Sequence, residues 1–330
     1  MPLVQFIFRK TSPLFFSIEK VFASLRDGFQ NRVSIEEEYL PHYSSSVRDI
    51  LRNMRFVGKT RADIYHVTGD IHYTVLALPA KKTILTVHDS VFLRETRGVK
   101  KVFFKWIFLK LPVRKSRYVT TISEKSKQEI IRYTHCNPDK VFVIPNPVNR
   151  HIYFSKKEFN AENPRLLFIG STPNKNLNRI IHALTVIPCT LEIVGQIPEN
   201  HLLLLKKNNI RFNQYSGLSE AEMADKYAAA DIILFPSLYE GFGLPILEGQ
   251  KAGRVVLTSN IPPMTEVAGG GACLVDPYDE QSIRLGLLKL IKDDDYRDQL
   301  IKKGFENIVQ YDVQKIADQY LELYERIMHS

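Results

Sequence analysis

Residues 231–253 read DIILFPSLYEGFGLPILEGQKAG, and this stretch decides the fold. The run from Asp231 to Phe235 has the length and apolar content of a strand buried on both faces. A polar loop follows, with glycines at 241 and 243 that permit close approach and unusual backbone angles. The pattern turns helical near Leu244, with Pro245 in the first turn, where its missing N–H costs nothing. A strand, a glycine loop and a helix start bring free backbone amides together with the positive end of a helix dipole. That combination suits an anion site, and a plain strand–turn–helix connection is the blander reading of the same features.

Two carboxylates frame it. Glu240 lies in the loop before the helix and Glu248 lies within the helix. A carboxylate beside an anion site repels phosphate, so its useful role there is to accept hydrogen bonds from flanking hydroxyls. A nucleotide sugar has hydroxyls on both sides of its diphosphate, on the ribose and on the hexose, and this layout matches.

The same grammar runs outward through all 330 residues. Short β-branched apolar runs predict strands at 3–8, 64–67, 83–87, 117–122 and 141–144. A second set falls at 165–170, 190–194, 231–235, 254–258 and 272–275, with a weaker one at 210–214. Helical patterns intervene, as right-handed βαβ crossovers require. The expected class is α/β, with two Rossmann-like domains whose parallel sheets face each other across a cleft. The stretch 145–164 holds the prolines, asparagines and aperiodicity of a linker. The expected division is 1–150, 151–311, and a C-terminal helix over 312–330 that crosses back to the first domain, with Asp312 as its N-cap.

Composition excludes several classes. At 44% hydrophobic and 25% charged residues, the chain is neither disordered nor collagen-like nor coiled coil. No run approaches the ~18 apolar residues of a membrane span. The opening MPLVQFIFRKTSPLFF places its bases after a short apolar run, the wrong order for a secretory signal. Cys136, Cys189 and Cys273 form no zinc or disulfide pattern, so a cytoplasmic chain with buried thiols is expected. Residues 1–150 carry 26 Lys or Arg against 13 Asp or Glu, while the rest carry 19 against 23. An anionic surface or ligand is expected at the basic half. Within it, residues 97–117, RGVKKVFFKWIFLKLPVRKSR, carry eight bases, five large apolar side chains in a row of six, and no acid. This reads as a basic amphipathic helix at an anionic membrane surface. A helix packed on the sheet is the plainer reading, and nucleic acid is not expected because no nucleic-acid motif accompanies the charge. The expected location is cytoplasmic, peripheral at the inner face of the membrane.

The segment PSLYEGFGLPILEGQKAG resembles the signature of retaining GT-B-fold glycosyltransferases, whose mark is Glu, seven residues, Glu. FIGSTPNKNL (168–177), VVLTSNIPPMTEVAGGGACLVDP (255–277), TVHDSVFL (86–93), TTISEKSKQEI (120–130) and VIPNPV (143–148) resemble family segments in the family's order. The resemblance implies transfer of a hexose or N-acetylhexosamine from a nucleoside-diphosphate sugar. It also implies a glycan or lipid-linked acceptor, in surface polysaccharide assembly. It places Glu240 on the hexose hydroxyls, Glu248 on the ribose, and Gly170, Ser171, Gly241, Phe242, Gly243 and Leu244 around the donor. Lys175 falls to the diphosphate, where it would stabilise the departing charge. His88 matches a histidine facing the donor sugar near its anomeric carbon. Lys10, Ser12, Ser123 and Asn146 fall on the acceptor side. His66 and His72 read as structural.

Two departures stand out. No arginine accompanies Lys175 in Gly170–Lys175, and the family's Gly-Gly loop after the first strand is replaced by Arg9-Lys10-Thr11-Ser12-Pro13, whose bases suit an acceptor phosphate. No metal or other cofactor is expected, since Asp293–Asp295 reads as a helix start. A UDP-sugar is favoured over a GDP-sugar as donor. The alternatives are a nucleotide-sugar epimerase or phosphorylase of the same architecture, and a membrane-binding protein with a vestigial nucleotide site.

Overall fold

The computed structural model describes residues 1–11, 17–89 and 98–329. Ser12 and the side chains of Lys100 and Lys101 lie outside the described residues. The chain divides into two compact units, Met1–Pro147 with Asp312–Ser330, and Val148–Tyr311. Each is built on a six-stranded parallel sheet with helices on both faces, the α/β class that the apolar runs predict.

In the first unit the strands are β1 (Leu3–Phe8), β2 (Ser34–Tyr39), β3 (Ile64–Val67), β4 (Thr83–Val87), β5 (Tyr118–Thr121) and β6 (Val141–Val143). Their order is β2-β1-β3-β4-β5-β6. Alternation along β1 sends Val4, Phe6 and Phe8 to one face and Ile7 to the other, each against its own apolar cluster. The C-terminal helix Val313–Met328 belongs to this unit. Asp312 caps it, accepting from Gln314 N at 2.9 Å, and Ile316, Tyr320, Leu321, Leu323, Tyr324 and Ile327 bury against Phe6, Phe22 and Leu25. Fully burying each of those side chains contributes roughly 1.5–3 kcal/mol.

Strand β2, SIEEEY, is absent from the set that the sequence pattern predicts. Glu36, Glu37 and Glu38 erase the apolar run, yet the segment pairs in parallel with β1 through six residues. It is an edge strand with no buried residue: Ser34, Glu36 and Glu37 are exposed and Ile35, Glu38 and Tyr39 are half-buried. Charged side chains are tolerated there, and they discourage edge-to-edge pairing.

The basic stretch folds as a helix over Gly98–Phe104, a widened π-helical stretch over Lys105–Lys110, and an α-helical end over Leu111–Lys115. Pro112 has no N–H to offer the Phe108 carbonyl one turn earlier. His72 Nδ1 takes that carbonyl instead, at 2.5 Å. One face of this helix packs on the first unit and the other is open to solvent. Phe108, Leu109 and Val113 join the core, while Val102, Phe103 and Trp106 remain 58, 40 and 42% exposed.

The second unit holds β7 (Arg165–Ile169), β8 (Thr190–Val194), β9 (Arg211–Tyr215), β10 (Ile232–Phe235), β11 (Val255–Ser259) and β12 (Cys273–Val275). Their order is β12-β11-β10-β7-β8-β9. The chain climbs outward from β7 to β9, then returns to the other side of β7 for β10. The strand order therefore reverses between β7 and β10, and the carboxyl ends of those two strands are where open α/β sheets bind ligands. Asp231 fastens the start of β10 to the segment before β7, accepting from Asn160 N at 3.2 Å and Arg165 N at 2.8 Å, and it pairs with Lys157. Cys189 and Cys273 are buried free thiols, whereas Cys136 is half-buried.

Candidate functional site

Two loops leave the carboxyl ends of β7 and β10. The first, from Gly170 to Asn176, ends in a single helical turn over Pro173–Lys175 and then feeds the helix Leu177–Leu184. The second, from Pro236 to Gly243, feeds the helix Leu244–Lys251. Asn174 joins them, accepting from Leu238 N at 2.8 Å and donating its side-chain amide to Tyr239 O at 2.9 Å and Glu240 Oε1 at 3.3 Å. Asn176, buried and left-handed at φ 66°, donates Nδ2 to Pro236 O at 3.0 Å and Pro277 O at 2.7 Å. These amides splice three loops into one platform.

On it, Lys175 Nζ lies 2.6 Å from Glu240 Oε1. The side chains are 20 and 15% exposed, so the pair sits where water screens it weakly. Lys175 Nζ also lies 4.8 Å from the Phe235 ring centroid, within cation–π range. The lysine stem runs over Gly170, where a Cβ would come within 2.6 Å of Lys175 Cγ; only glycine leaves that path open.

The helix Leu244–Lys251 begins as its sequence predicts, with Pro245 in the first turn. Gly243 precedes it at φ 140°, a conformation that L side chains rarely adopt. Among the described residues no side chain caps this helix, so its first turn presents amides and a positive dipole end. Phe242 is buried, its ring 5.9 Å from that of Tyr311. Ser171 is exposed at the mouth of the first loop. Glu248 accepts a short hydrogen bond from Tyr227 Oη. Burial and then the Glu248 charge push the Tyr227 hydroxyl well above its usual range, so it stays a donor. Lys175 and Glu240 thus meet directly, and Glu248 projects from the second turn of the same helix.

A cavity of about 160 Å³ elsewhere in this unit is lined by Glu192, Asn213, Tyr215 and Lys226. Its carboxylate is already met by Asn213 Nδ2 at 2.9 Å and Lys226 Nζ at 3.6 Å. Lys175 and Glu240 lie instead in the loops that leave β7 and β10.

In the first unit, His88 follows β4, with Nε2 2.7 Å from Thr68 O, while its own carbonyl accepts from Ser126 Oγ at 3.3 Å. Ser123 is the N-cap of the helix Glu124–Thr134, its hydroxyl accepting from Ser126 N at 3.1 Å. Asn146 is buried. Arg9 is held by Glu19 at 3.0 Å and Asp70 at 2.8 Å, so its charge is already compensated. Lys10 Nζ sits 4.8 Å above the Tyr43 ring. His66 bridges Tyr324 Oη at 2.8 Å and Thr86 Oγ1 at 2.7 Å, and with His72 it is structural, as the sequence predicts. Asp293 caps the helix Asp294–Ile308, accepting from Tyr296 N at 2.9 Å.

Sequence reasoning misses Asn174, Asn176 and Tyr227. Their partners lie 65, 60 and 21 positions away along the chain, and no periodic pattern marks them.

Residues 149–307 match the family described as Glycosyl transferases group 1, and residues 16–151 match Glycosyltransferase Family 4. The chain is 29% identical over 221 residues to the O-antigen chain mannosyltransferase RfbU of Salmonella typhimurium, covering 64% of this chain and 61% of that protein. It is 26% identical over 291 residues to the serotype-specific mannosyltransferase WbdA of Escherichia coli, covering 78% of this chain and 35% of that protein. It therefore matches less than two thirds of the length of either relative. Anabaena HepE, solved in complex with UDP and glucose, superposes with a TM-score of 0.79 at 15% identity, over 99% of this chain and 100% of that one. At that identity the likeness is one of fold.

Proposed function

The chain belongs to the group 1 glycosyltransferases, and from that premise we propose that it transfers a hexosyl residue from a nucleoside-diphosphate sugar to a glycan or lipid-linked acceptor in surface polysaccharide assembly. The observation that carries this reading is the Lys175–Glu240 pair at the uncapped start of the helix Leu244–Lys251. The mannosyltransferase names of the relatives support mannose as the hexose. HepE's complex with UDP supports a nucleoside diphosphate as the carrier.

In this reading the first turn of the helix and Lys175 take the diphosphate. As the glycosidic bond breaks, negative charge grows on the leaving oxygen, and a fixed cation with oriented amides stabilises it without reorganisation. Glu240 accepts from hexose hydroxyls and Glu248 from the ribose. Donor and product share the anomeric configuration, as the family resemblance implies. The acceptor hydroxyl attacks on the face that the diphosphate leaves, through an oxocarbenium-like state.

The reading extends to a membrane surface. Val102, Phe103 and Trp106 lie three and four residues apart on one exposed helical ridge, and no acid falls between residues 97 and 117. No helix of the described residues is long and apolar enough to cross a membrane. Interfacial docking through an aromatic ridge with a basic collar fits both facts.

The test is a thermal-shift screen of UDP- and GDP-hexoses, because a ligand that binds only the folded state raises the melting temperature. At least one donor should do so, and NMR of the product should show the donor's anomeric configuration. A flat screen together with no turnover on any donor would overturn the proposal.

A further inference from the structure

The helix Glu220–Ala229 meets the helix Leu244–Lys251 where Tyr227 Oη donates to the Glu248 carboxylate. The rest of the helix is arranged to hold that point still. At its start, Ser219 and Glu222 form a reciprocal capping box, with Ser219 N to Glu222 Oε2 at 2.7 Å and Glu222 N to Ser219 Oγ at 3.3 Å. Asn149 Nδ2 donates to Glu220 at 3.0 Å and Tyr153 Oη to Asp225 at 2.9 Å. At its end, the buried Arg254 donates Nε to Tyr227 O at 3.3 Å and Nη2 to Ala228 O at 2.8 Å. Arg254 itself follows the helix Leu244–Lys251 by three residues, and its N–H bonds back to Gly249 O at 2.9 Å. The two helices are therefore clamped twice, by side chain at Glu248 and by guanidinium at their carboxyl ends.

We infer that Tyr227 is a positioning residue for the nucleotide site: its hydroxyl holds the Glu248 carboxylate in the orientation that lets it select a ribose bearing vicinal hydroxyls. The inference rests on the ribose role proposed above for Glu248. The chemistry is specific. A carboxylate on a flexible side chain can turn about its terminal torsions, and each turn dissipates directional preference. An ionised carboxylate can only accept, so the Tyr227 hydroxyl must donate to it, and a buried donor fixed in place restricts that freedom. Its raised pKa keeps it a donor across the working pH range. Burial also means that Tyr227 reaches the nucleotide only through Glu248. The effect should therefore appear as lost discrimination at the ribose and not as a lost contact to the base or the phosphates.

The experiment measures, by titration calorimetry, the affinity of whichever of UDP and GDP binds the wild-type protein, beside that of its 2′,3′-dideoxy analogue. The wild type should prefer the ribose form. Glu248→Ala should bring the two affinities together. Tyr227→Phe, which keeps the ring and removes one oxygen, should shrink the preference at least about fivefold, because hydrogen bonds to charged groups are the strong ones. Binding of the dideoxy form should stay unchanged. A merely structural tyrosine would weaken both ligands equally or neither. If Glu248→Ala abolishes the preference and Tyr227→Phe preserves it, the inference falls while the ribose role stands. If Glu248→Ala preserves the preference, the ribose role falls and takes the inference with it. A crystal structure of the wild-type protein with the nucleotide gives a reading independent of any variant's folding. Glu248 should bridge Tyr227 Oη and a ribose hydroxyl, and a carboxylate that has left Tyr227 would overturn the inference.

Discussion

Lys175 Nζ and Glu240 Oε1 lie 2.6 Å apart, an ion pair between residues 65 positions apart in the chain. Each neutralises the other. In the proposed function, a diphosphate would offer Lys175 a stronger acceptor and sugar hydroxyls would offer Glu240 donors, so donor binding would exchange this pair for two new sets of contacts. Lys175→Ala should therefore lower kcat/KM by at least tenfold, since hydrogen bonds to charged groups contribute roughly 1.5–3 kcal/mol. Glu240→Gln should act in opposite directions on two readouts. Transfer should fall, while the sugar-free nucleoside diphosphate binds more tightly because Lys175 is released to it. Calorimetry at low salt separates the cases, and weaker diphosphate binding by Glu240→Gln would contradict the exchange.

Asn176 carries the platform beneath that pair. Its Nδ2 satisfies two carbonyls, Pro236 O and Pro277 O, from loops 41 positions apart, and its backbone is left-handed. Asn176→Ala leaves both carbonyls without this donor and places a Cβ residue in a disfavoured region. The expected loss is about 2–4 kcal/mol in urea unfolding. Asn176→Gly removes the same hydrogen bonds without the backbone penalty and should lose about 1 kcal/mol less. Equal losses would mean that the left-handed backbone contributes nothing.

What was legible in the chain follows from burial. Strands covered on both faces, such as β4 and β10, are uninterrupted apolar runs, so their presence and approximate ends could be read directly. The start of the helix at Leu244 was marked by Pro245 and the glycines, and Asp312 by its position before an amphipathic period. Strand β2 was hidden because an edge strand needs only one protected side and can carry Glu36–Glu38. The π-helical stretch at Lys105–Lys110 was hidden because Pro112 is accommodated by His72, a residue outside the helix. Tyr227 resembles any buried helical tyrosine until Glu248 is seen against it. Local preferences announce elements, whereas the partners of a site residue come from tertiary packing that no short window contains.

The ridge of Val102, Phe103 and Trp106 makes a separable prediction. Lys105 and Lys110 border it, and Lys110 Nζ lies 4.3 Å from the Trp106 ring. Lys105→Gln should weaken binding to phosphatidylglycerol vesicles about fivefold, the equivalent of roughly 1 kcal/mol per basic residue near an anionic surface. Trp106→Ser should weaken it further by removing an exposed aromatic ring from the ridge. Donor hydrolysis in solution should be unchanged in both. Vesicle binding equal to wild type in both variants would leave the helix with a packing role alone.

His66 ties the C-terminal helix to the first sheet, and that makes the unit's stability depend on pH. Its ring nitrogens meet Tyr324 Oη and Thr86 Oγ1, and Phe6, Phe22 and Tyr320 surround it. Burial, with a smaller contribution from His88, lowers its pKa from the usual 6.5 to about 3. The folded protein thus keeps His66 neutral over a range in which the unfolded chain protonates it. Stability from this group is fully present above pH 6.5 and is lost progressively as the pH falls toward 3. Burial lowers His72 in the same direction. Each such histidine can contribute a slope of up to about 1.4 kcal/mol per pH unit in that window. Urea midpoints should therefore drop between pH 7 and pH 5, before most carboxylates titrate. His66→Gln keeps a side chain able to donate and accept while removing the titration, so its midpoint should lie lower at pH 7 and fall less steeply on acidification. A slope in His66→Gln as steep as in the wild type would move the pH dependence away from this histidine.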